Sequence, residues 1–227
     1  MDIKVIASGS TGNCYRISDG STSLLLECGI RFESIQAGCG YKTSNISGCL
    51  VTHRHGDHAK SVKKLIQRGI SVYGPRDLAD AYEGVTAWEP LQYHRIGSMT
   101  VLPFAVKHDV ECYGYQIETD DGEKLLYVTD TAYVPYTFAG LTHIMSEANY
   151  SKVQIADNMG KGRLPAYLVK RIMKSHMSID TLLEMLKAND MISVKQIYLL
   201  HLSDINSNAE QFKELVQRQT GAEVYVY

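Results

Sequence analysis

Residues 52–58 read Thr52-His53-Arg54-His55-Gly56-Asp57-His58, directly after the apolar run Cys49-Leu50-Val51. Three imidazoles and one carboxylate thus fall within six residues, between a strand pattern and a helix pattern. In an extended segment residues two apart point the same way, so His53 and His55 can share one ion. Where the chain turns into the helix, Asp57 and His58 are re-aimed toward a neighbouring position. Neutral imidazoles and carboxylates suit Zn²⁺, Mn²⁺ or Fe²⁺, and the absence of thiolate argues against a closed structural zinc. One loop cannot fill two coordination sets, so the other ligands are sought at later strand ends. His108 follows the strand ending at Val106. Asp130 follows Leu126-Tyr127-Val128, and its two oxygens can bridge two ions. His201 follows Tyr198-Leu199-Leu200. The resulting assignment is His53, His55, His108 and Asp130 at one divalent ion, and Asp57, His58, Asp130 and His201 at a second.

The frame around these residues is that of one globular domain, 1–227. Of the 227 residues, 44% are hydrophobic and 21% charged, which rules out disorder or a fibre. The net charge of −2 gives no support for a nucleic-acid coat protein or a polybasic membrane binder. The start Met1-Asp2-Ile3-Lys4 has no apolar signal core, and no apolar run approaches the roughly 20 residues of a spanning helix. A cytoplasmic protein is expected. The five cysteines form an odd, scattered set without a C-x-x-C pair, best read as small buried hydrophobes. Strand patterns are expected at 3–7, 14–17, 23–27, 49–52, 71–73, 99–106, 113–118, 124–128, 144–146, 196–200 and 222–226. Helix patterns are expected at 57–68, from Pro75 onward, and at 165–174, 179–186 and 208–217. Two strand-rich halves, each with helices, predict an α/β protein of two sheets packed face to face with helices outside, a four-layer αββα sandwich. His94 and His143 have no motif and are read as structural or surface residues.

The histidine cluster and its later partners resemble the signature of the metallo-β-lactamase superfamily, H-x-H-x-D-H followed by single ligands at strand ends. Among its branches the chain resembles the RNase Z-like and WalJ-like phosphodiesterases. Ala7-Ser8-Gly9-Ser10-Thr11-Gly12-Asn13-Cys14-Tyr15 is similar to the WalJ group's start, and His201-Leu202-Ser203 to the final ligand motif of both groups. His108 followed by Gly114-Tyr115 resembles the third motif of RNase Z, and Thr129-Asp130 its bridging aspartate. Glu147 resembles an RNase Z glutamate, and His176 in Ser175-His176-Met177-Ser178 the phosphodiesterases' His-x-Ser/Thr element. Two positions depart from the pattern: Glu27-Cys28-Gly29 stands where Asp-Cys-Gly is usual, and Ser175 stands where the WalJ group has glycine.

The resemblance implies a phosphodiesterase using two divalent ions, Zn or Mn. Asp57 would orient the attacking water, and His176, held by Glu147, would clamp the phosphate or protonate the leaving oxygen. The expected substrate is nucleic acid, probed by a nuclease working on DNA. The alternatives are a small phosphodiester such as a cyclic nucleotide, a thioester hydrolase, and a non-enzymatic accessory protein that binds metal. Relatives that dimerise imply a homodimer. Charge patterning adds a substrate surface: 151–176 carries six bases and one acid, whereas 109–150 carries eight acids and one base. Within the basic stretch Lys161, Arg163, Lys170 and Arg171 are the expected phosphate contacts, with Met159–Arg163 expected as a mobile basic loop. The glycine-rich Ser8–Asn13 lacks the Gly-Lys-Ser/Thr of a nucleotide loop; it is expected as a tight turn between strands, the alternative being that its amides and hydroxyls line the metal cleft. Fifteen tyrosines are many; amphipathic core and rim positions explain most of them, with a subunit contact as the less favoured reading for Tyr225 and Tyr227.

Overall fold

The computed structural model describes residues 1–227, in two compact units. The first comprises Met1–Ala105 with Val110–Glu123, the second Val106–Asp109 with Lys124–Tyr227. The first unit opens with β1 (Asp2–Ala7), β2 (Cys14–Ser18) and β3 (Ser23–Leu26), then α1 (Phe32–Gly38), a 3₁₀ turn and β4 (Gly48–Leu50). Next come α2 (Gly56–Ala59), α3 (Val62–Gln67), β5 (Val72–Gly74), α4 (Arg76–Ala81) and β6 (Val85–Ala87). These six strands form one sheet in chain order, antiparallel from β1 to β3 and parallel from β3 to β6. The parallel part needs crossover helices, and the short apolar β4 and β5 lie under α3 and α4 in the core of Leu25, Cys49, Val62, Leu65 and Leu78. Strands β7 (His94–Ile96), β8 (Met99–Val106) and β9 (Cys112–Thr119) complete this part of the chain, β7 and β8 as an antiparallel pair. Gly114 lies under the ring of Phe104, where a Cβ would come within 2.3 Å of Cζ.

The second unit holds β10 (Lys124–Val128), β11 (His143–Glu147), α5 (Lys152–Gly160), α6 (Ala166–Ser175), α7 (Ile179–Ala188), β12 (Gln196–Leu200), α8 (Ala209–Thr220) and β13 (Glu223–Val226). Strands β10 to β13 are adjacent in chain order and all parallel. The buried runs Leu125–Val128 and Ile197–Leu200 have the near-continuous apolar character of parallel strands covered on both faces. Ser178 and Asn208 cap α7 and α8 by accepting from Thr181 N and Gln211 N, and Gly221, with φ of 70°, ends α8. Tyr225 and Tyr227 stack on Tyr198, with ring centroids 4.9 and 6.3 Å away.

Three expectations change. The helix expected over 57–68 is two helices, because Ser61 turns its amide to Cys28 O (2.9 Å) and its hydroxyl to Ile30 O (2.6 Å) instead of continuing the spiral. The stretch expected as a loop is helical at its start: α5 runs to Gly160, and Gly162 N and Arg163 N then donate to Met159 O and Asn158 O at 3.0 and 2.9 Å. Helices α1 and α5 and strands β6 and β7 were not expected. Helix α5 buries Ile155 and Asn158 and is held by Asn158 Nδ2 donating to Ile205 O and Asn206 Oδ1, a tertiary contact without a hydrophobic period.

Both histidines without a motif are structural. His94 stacks on Trp88 at 4.0 Å, and Trp88 on Tyr73 at 4.5 Å. His143 is buried at the start of β11, with Thr142 Oγ1 2.8 Å from Nδ1. Burial, reinforced by the Lys195 ammonium, pushes its pKa down to about 4. The unfolded chain therefore takes up a proton near pH 6.5 that the folded chain refuses until about pH 4. Stability is lost as pH falls through that window, by about 2 kcal/mol between pH 7 and pH 5. Urea unfolding at the two pH values should show His143→Gln losing correspondingly less than the parent protein; equal losses would remove His143 as the cause.

Candidate metal centre

In the first unit the site grows out of β4. The chain stays extended through Val51, Thr52 and His53, and His55, with φ −63° and ψ 148°, is the residue from which α2 starts. The alternation expected there is observed: the His53 and His55 rings meet edge-on, with His53 Nε2 3.1 Å from His55 Nδ1. Thr52 Oγ1 sits 2.9 Å from His53 Nδ1, with Cys112 Sγ 3.7 Å from the same atom, so Nε2 is the nitrogen turned to the cluster. The turn into α2 brings the ring of His58 to 4.2 Å from that of His53, and Asp57 Oδ2 to 3.4 Å from His58 Nε2.

Two residues hold this loop: Glu27, which the sequence did not mark as part of the site, and Asn13, from the glycine-rich turn read as a candidate lining of the cleft. Glu27 is fully buried. Its Oε1 lies 3.4 Å from His58 Nδ1, and its Oε2 accepts from Thr52 N at 3.2 Å. A carboxylate behind a ligating histidine fixes the ring's orientation and raises its basicity. Glu27 also has φ of 64°, a left-handed backbone costing of order 1–3 kcal/mol for a non-glycine residue and kept where surroundings enforce it. Asn13 is the second. Its amide donates to Asp57 O at 2.8 Å, its Nδ2 lies 3.3 Å from His58 Nε2, and its Oδ1 accepts from Gly9 N and Tyr15 Oη. The glycine-rich turn thus serves the site through Asn13. The available signals were Asn13 at the end of that turn and an acidic residue between a strand and Cys28-Gly29.

In the second unit the expected residues stand at the carboxyl ends of parallel strands, the edge where open α/β sheets place their ligands. Asp130 follows β10, Glu147 ends β11 and His201 follows β12. Asp130 and His201 both have left-handed backbones, with φ of 52° and 55°. The ligating atoms of Asp130, Glu147, His176 and His201 all lie within 4.8 Å of one another. His201 Nδ1 is 3.4 Å from Asp130 Oδ1 and 3.3 Å from Glu147 Oε2. His176, the residue that ends α6, places Nδ1 2.8 Å from the same Glu147 oxygen. Glu147 Oε1 accepts from Met177 N at 2.6 Å. His108 is set beside Asp109, with Nε2 3.0 Å from Oδ1.

These distances set the charges. Burial opposes charge on His176, but the Glu147 carboxylate outweighs it, with Asp130 adding, and raises the pKa to about 9. Burial likewise opposes charge on His201, and Asp130 followed by Glu147 raises it. Burial would raise Glu147, yet His176 holds it below the ordinary carboxylate range. The donors in both units are imidazole nitrogens and carboxylate oxygens, and the Cys112 thiol faces the far nitrogen of His53. Donors of this chemistry fit Zn²⁺ or Mn²⁺. Of the expected substrate contacts, Lys161, Arg163, Lys170 and Arg171 are all exposed, but Lys161 is engaged with Asp157 at 2.7 Å.

Residues 33–202 match the family described as the beta-lactamase superfamily domain. The chain belongs to this superfamily. Curated relatives of the superfamily member include the exodeoxyribonuclease YycJ of Bacillus anthracis, 27% identical over 92% of this chain and 85% of that protein. The exodeoxyribonuclease WalJ of Streptococcus pneumoniae is 26% identical over 91% of this chain and 83% of that protein. Among solved structures, the metallo-beta-lactamase fold protein YhfI from Bacillus subtilis superposes with a TM-score of 0.75 at 20% identity, covering 99% of this chain and 95% of that one. Human tRNase Z, short form, gives 0.65 at 15% identity over 100% and 96%. These likenesses show the metallo-beta-lactamase fold, the α/β architecture with two sheets expected from the sequence. No helix is long and apolar enough to cross a membrane.

Proposed function

We propose that this member of the superfamily is a two-metal phosphodiesterase that cuts nucleic acid, with DNA as the favoured substrate. The metallo-hydrolase character rests on the family and on relatives named as nucleases. In this reading His53, His55, His108 and Asp130 hold one divalent ion, and Asp57, His58, Asp130 and His201 hold the other. When bound, such a pair neutralises charge on phosphate oxygens and makes a water nucleophile available near neutral pH.

The observation that carries the reading is the bonded pair Glu147–His176 beside Asp130 and His201. In hydrolysis of a phosphodiester the P–O bond to the leaving oxygen breaks and that oxygen needs a proton, which a partly exposed imidazole held by a buried carboxylate can supply. Glu147 engages His176 at Nδ1, which leaves Nε2 to donate to the leaving oxygen or to a phosphate oxygen. Asp57, whose carboxylate is partly exposed, accepts a hydrogen bond from the attacking water and sets its line of approach. Arg163, Lys170 and Arg171 supply positive charge for the rest of the phosphate chain.

The test is to incubate protein loaded with Zn²⁺ or Mn²⁺ with single- and double-stranded DNA, RNA and a panel of cyclic nucleotides. Metal per chain is measured on the same samples. Cleavage of DNA with metal bound is expected. Preferential turnover of a cyclic nucleotide would replace the polymer by a small diester, and much less than one metal per chain after loading would return the accessory-protein reading.

A further inference from the structure

Helix α6 delivers His176 at its end, and its outer face has no packing role. Val169 is buried and Leu168 and Ile172 are partly buried, packed with Tyr150, Ile155 and Leu164. The opposite stripe is Tyr167, Lys170, Arg171 and Lys174, the i, i+3, i+4 and i+7 positions of one face. Tyr167 is 77% exposed, an unusual position for an aromatic ring that no core needs. None of the three cations in the stripe has a carboxylate within ion-pairing distance, in contrast to Lys161 one turn before the helix. From Tyr167 to Lys174 the stripe is about 10 Å long, enough to follow a short run of phosphates.

We propose that this face of α6 is a docking track for single-stranded nucleic acid, with Tyr167 stacking a base and Lys170, Arg171 and Lys174 following the phosphates toward His176. The inference rests on the phosphodiesterase reading and narrows its substrate to a strand whose bases are free to unstack. Three features favour this occupant. The charge is complementary to a polyanion and arranged in a line rather than a patch. An exposed aromatic ring alongside cations is the pairing that single-strand surfaces use, because every base offers a face for stacking. The track is also continuous with the reacting group: the charge of Arg171 is felt at the His176 ring, which α6 itself presents. Lys174, in the last turn, offsets the partial negative charge of the helix end that would otherwise repel a phosphate there.

The experiment uses metal-loaded protein and a 12-nucleotide oligothymidylate with phosphorothioate linkages, followed by fluorescence anisotropy over a range of salt. Tyr167→Ala should raise Kd about 5- to 100-fold, and Tyr167→Phe should keep the parent affinity. Each of Lys170→Ala and Lys174→Ala should reduce the salt slope of log Kd by about 0.7. An unchanged Kd in Tyr167→Ala, or a salt slope unmoved by the lysine changes, overturns the track. Tighter binding of the duplex than of the single strand overturns it as well. Turnover of bis(p-nitrophenyl) phosphate by the parent protein tests the phosphodiesterase reading separately. Turnover there with unaltered oligonucleotide affinities sinks the track alone, whereas altered affinities with no turnover sink the phosphodiesterase reading alone.

Discussion

Replacing His176 with alanine is expected to lower kcat on a phosphodiester about 10²- to 10⁴-fold, the usual worth of a positioned proton donor. The same change removes the closest partner of a fully buried carboxylate. Glu147 would keep Met177 N at 2.6 Å and His201 Nδ1 at 3.3 Å, but lose the 2.8 Å contact to His176. Uncompensated buried charge is destabilising, so a loss of activity in His176→Ala alone is ambiguous between chemistry and fold. His176→Gln resolves it. A glutamine amide can still donate to Glu147 and support the packing, yet it cannot give up a proton. Both variants should lose turnover by similar factors, with His176→Gln melting closer to the parent protein. If His176→Gln turned over at the parent rate, the imidazole would be a structural helix end, and the proposed role for Glu147 would go with it. Asp57→Ala is expected to cost at least as much, and activity like that of the parent in that variant would defeat the mechanism.

The parts of this site legible in the sequence are those whose chemistry is local. His53, His55, Asp57 and His58 declare themselves by spacing, and the extended-then-helical geometry that spacing demands is the one observed. Asp130 and His201 could be found because parallel strands read as apolar runs and ligands sit where the runs stop. The contacts of the positioning residues were not legible. Glu27 reaches His58 across 31 positions of chain, and Asn13 reaches it across 45, through contacts that leave no periodic trace. Ser61 is a similar case: its hydrogen bonds to Cys28 and Ile30 break a helix that the apolar pattern alone would have run on. Helix α5 was missed for the same reason, since it is held by the amide of Asn158 more than by an apolar face. Local propensity decides what an element can be, and such long-range polar contacts decide where it stops.

Those contacts make Gly29 the most sensitive position outside the ligands themselves. A Cβ built there would lie 1.6 Å from Asp57 O and 2.6 Å from His58 N, both backbone atoms with no rotamer to yield. The backbone around Gly29 is also fully engaged. Gly29 N donates to Asn13 O, Asn13 N to Asp57 O, and Cys28 N to His58 O, at 2.8 to 2.9 Å. Room for one methyl group can be made only by moving the 56–58 turn, and with it the aim of Asp57 and His58. Overpacking of well-packed positions costs about 1–3 kcal/mol, and backbone against backbone belongs at the upper end. Gly29→Ala is therefore expected to lose that much stability and, in the fraction still folded, to bind Zn²⁺ or Mn²⁺ about 10- to 100-fold more weakly, as when partners of ligating residues are removed. Gly56→Ala is the matched control. It lies in the same turn, in the middle of the histidine motif, but nothing stands within 4 Å of its added Cβ and its φ is not positive. Thermal melts and metal titrations of the two variants should separate them sharply. A Gly29→Ala protein that melted and bound metal like Gly56→Ala would show that the motif loop is not clamped by the 27–29 turn, and that Asp57 and His58 owe their placement to something else.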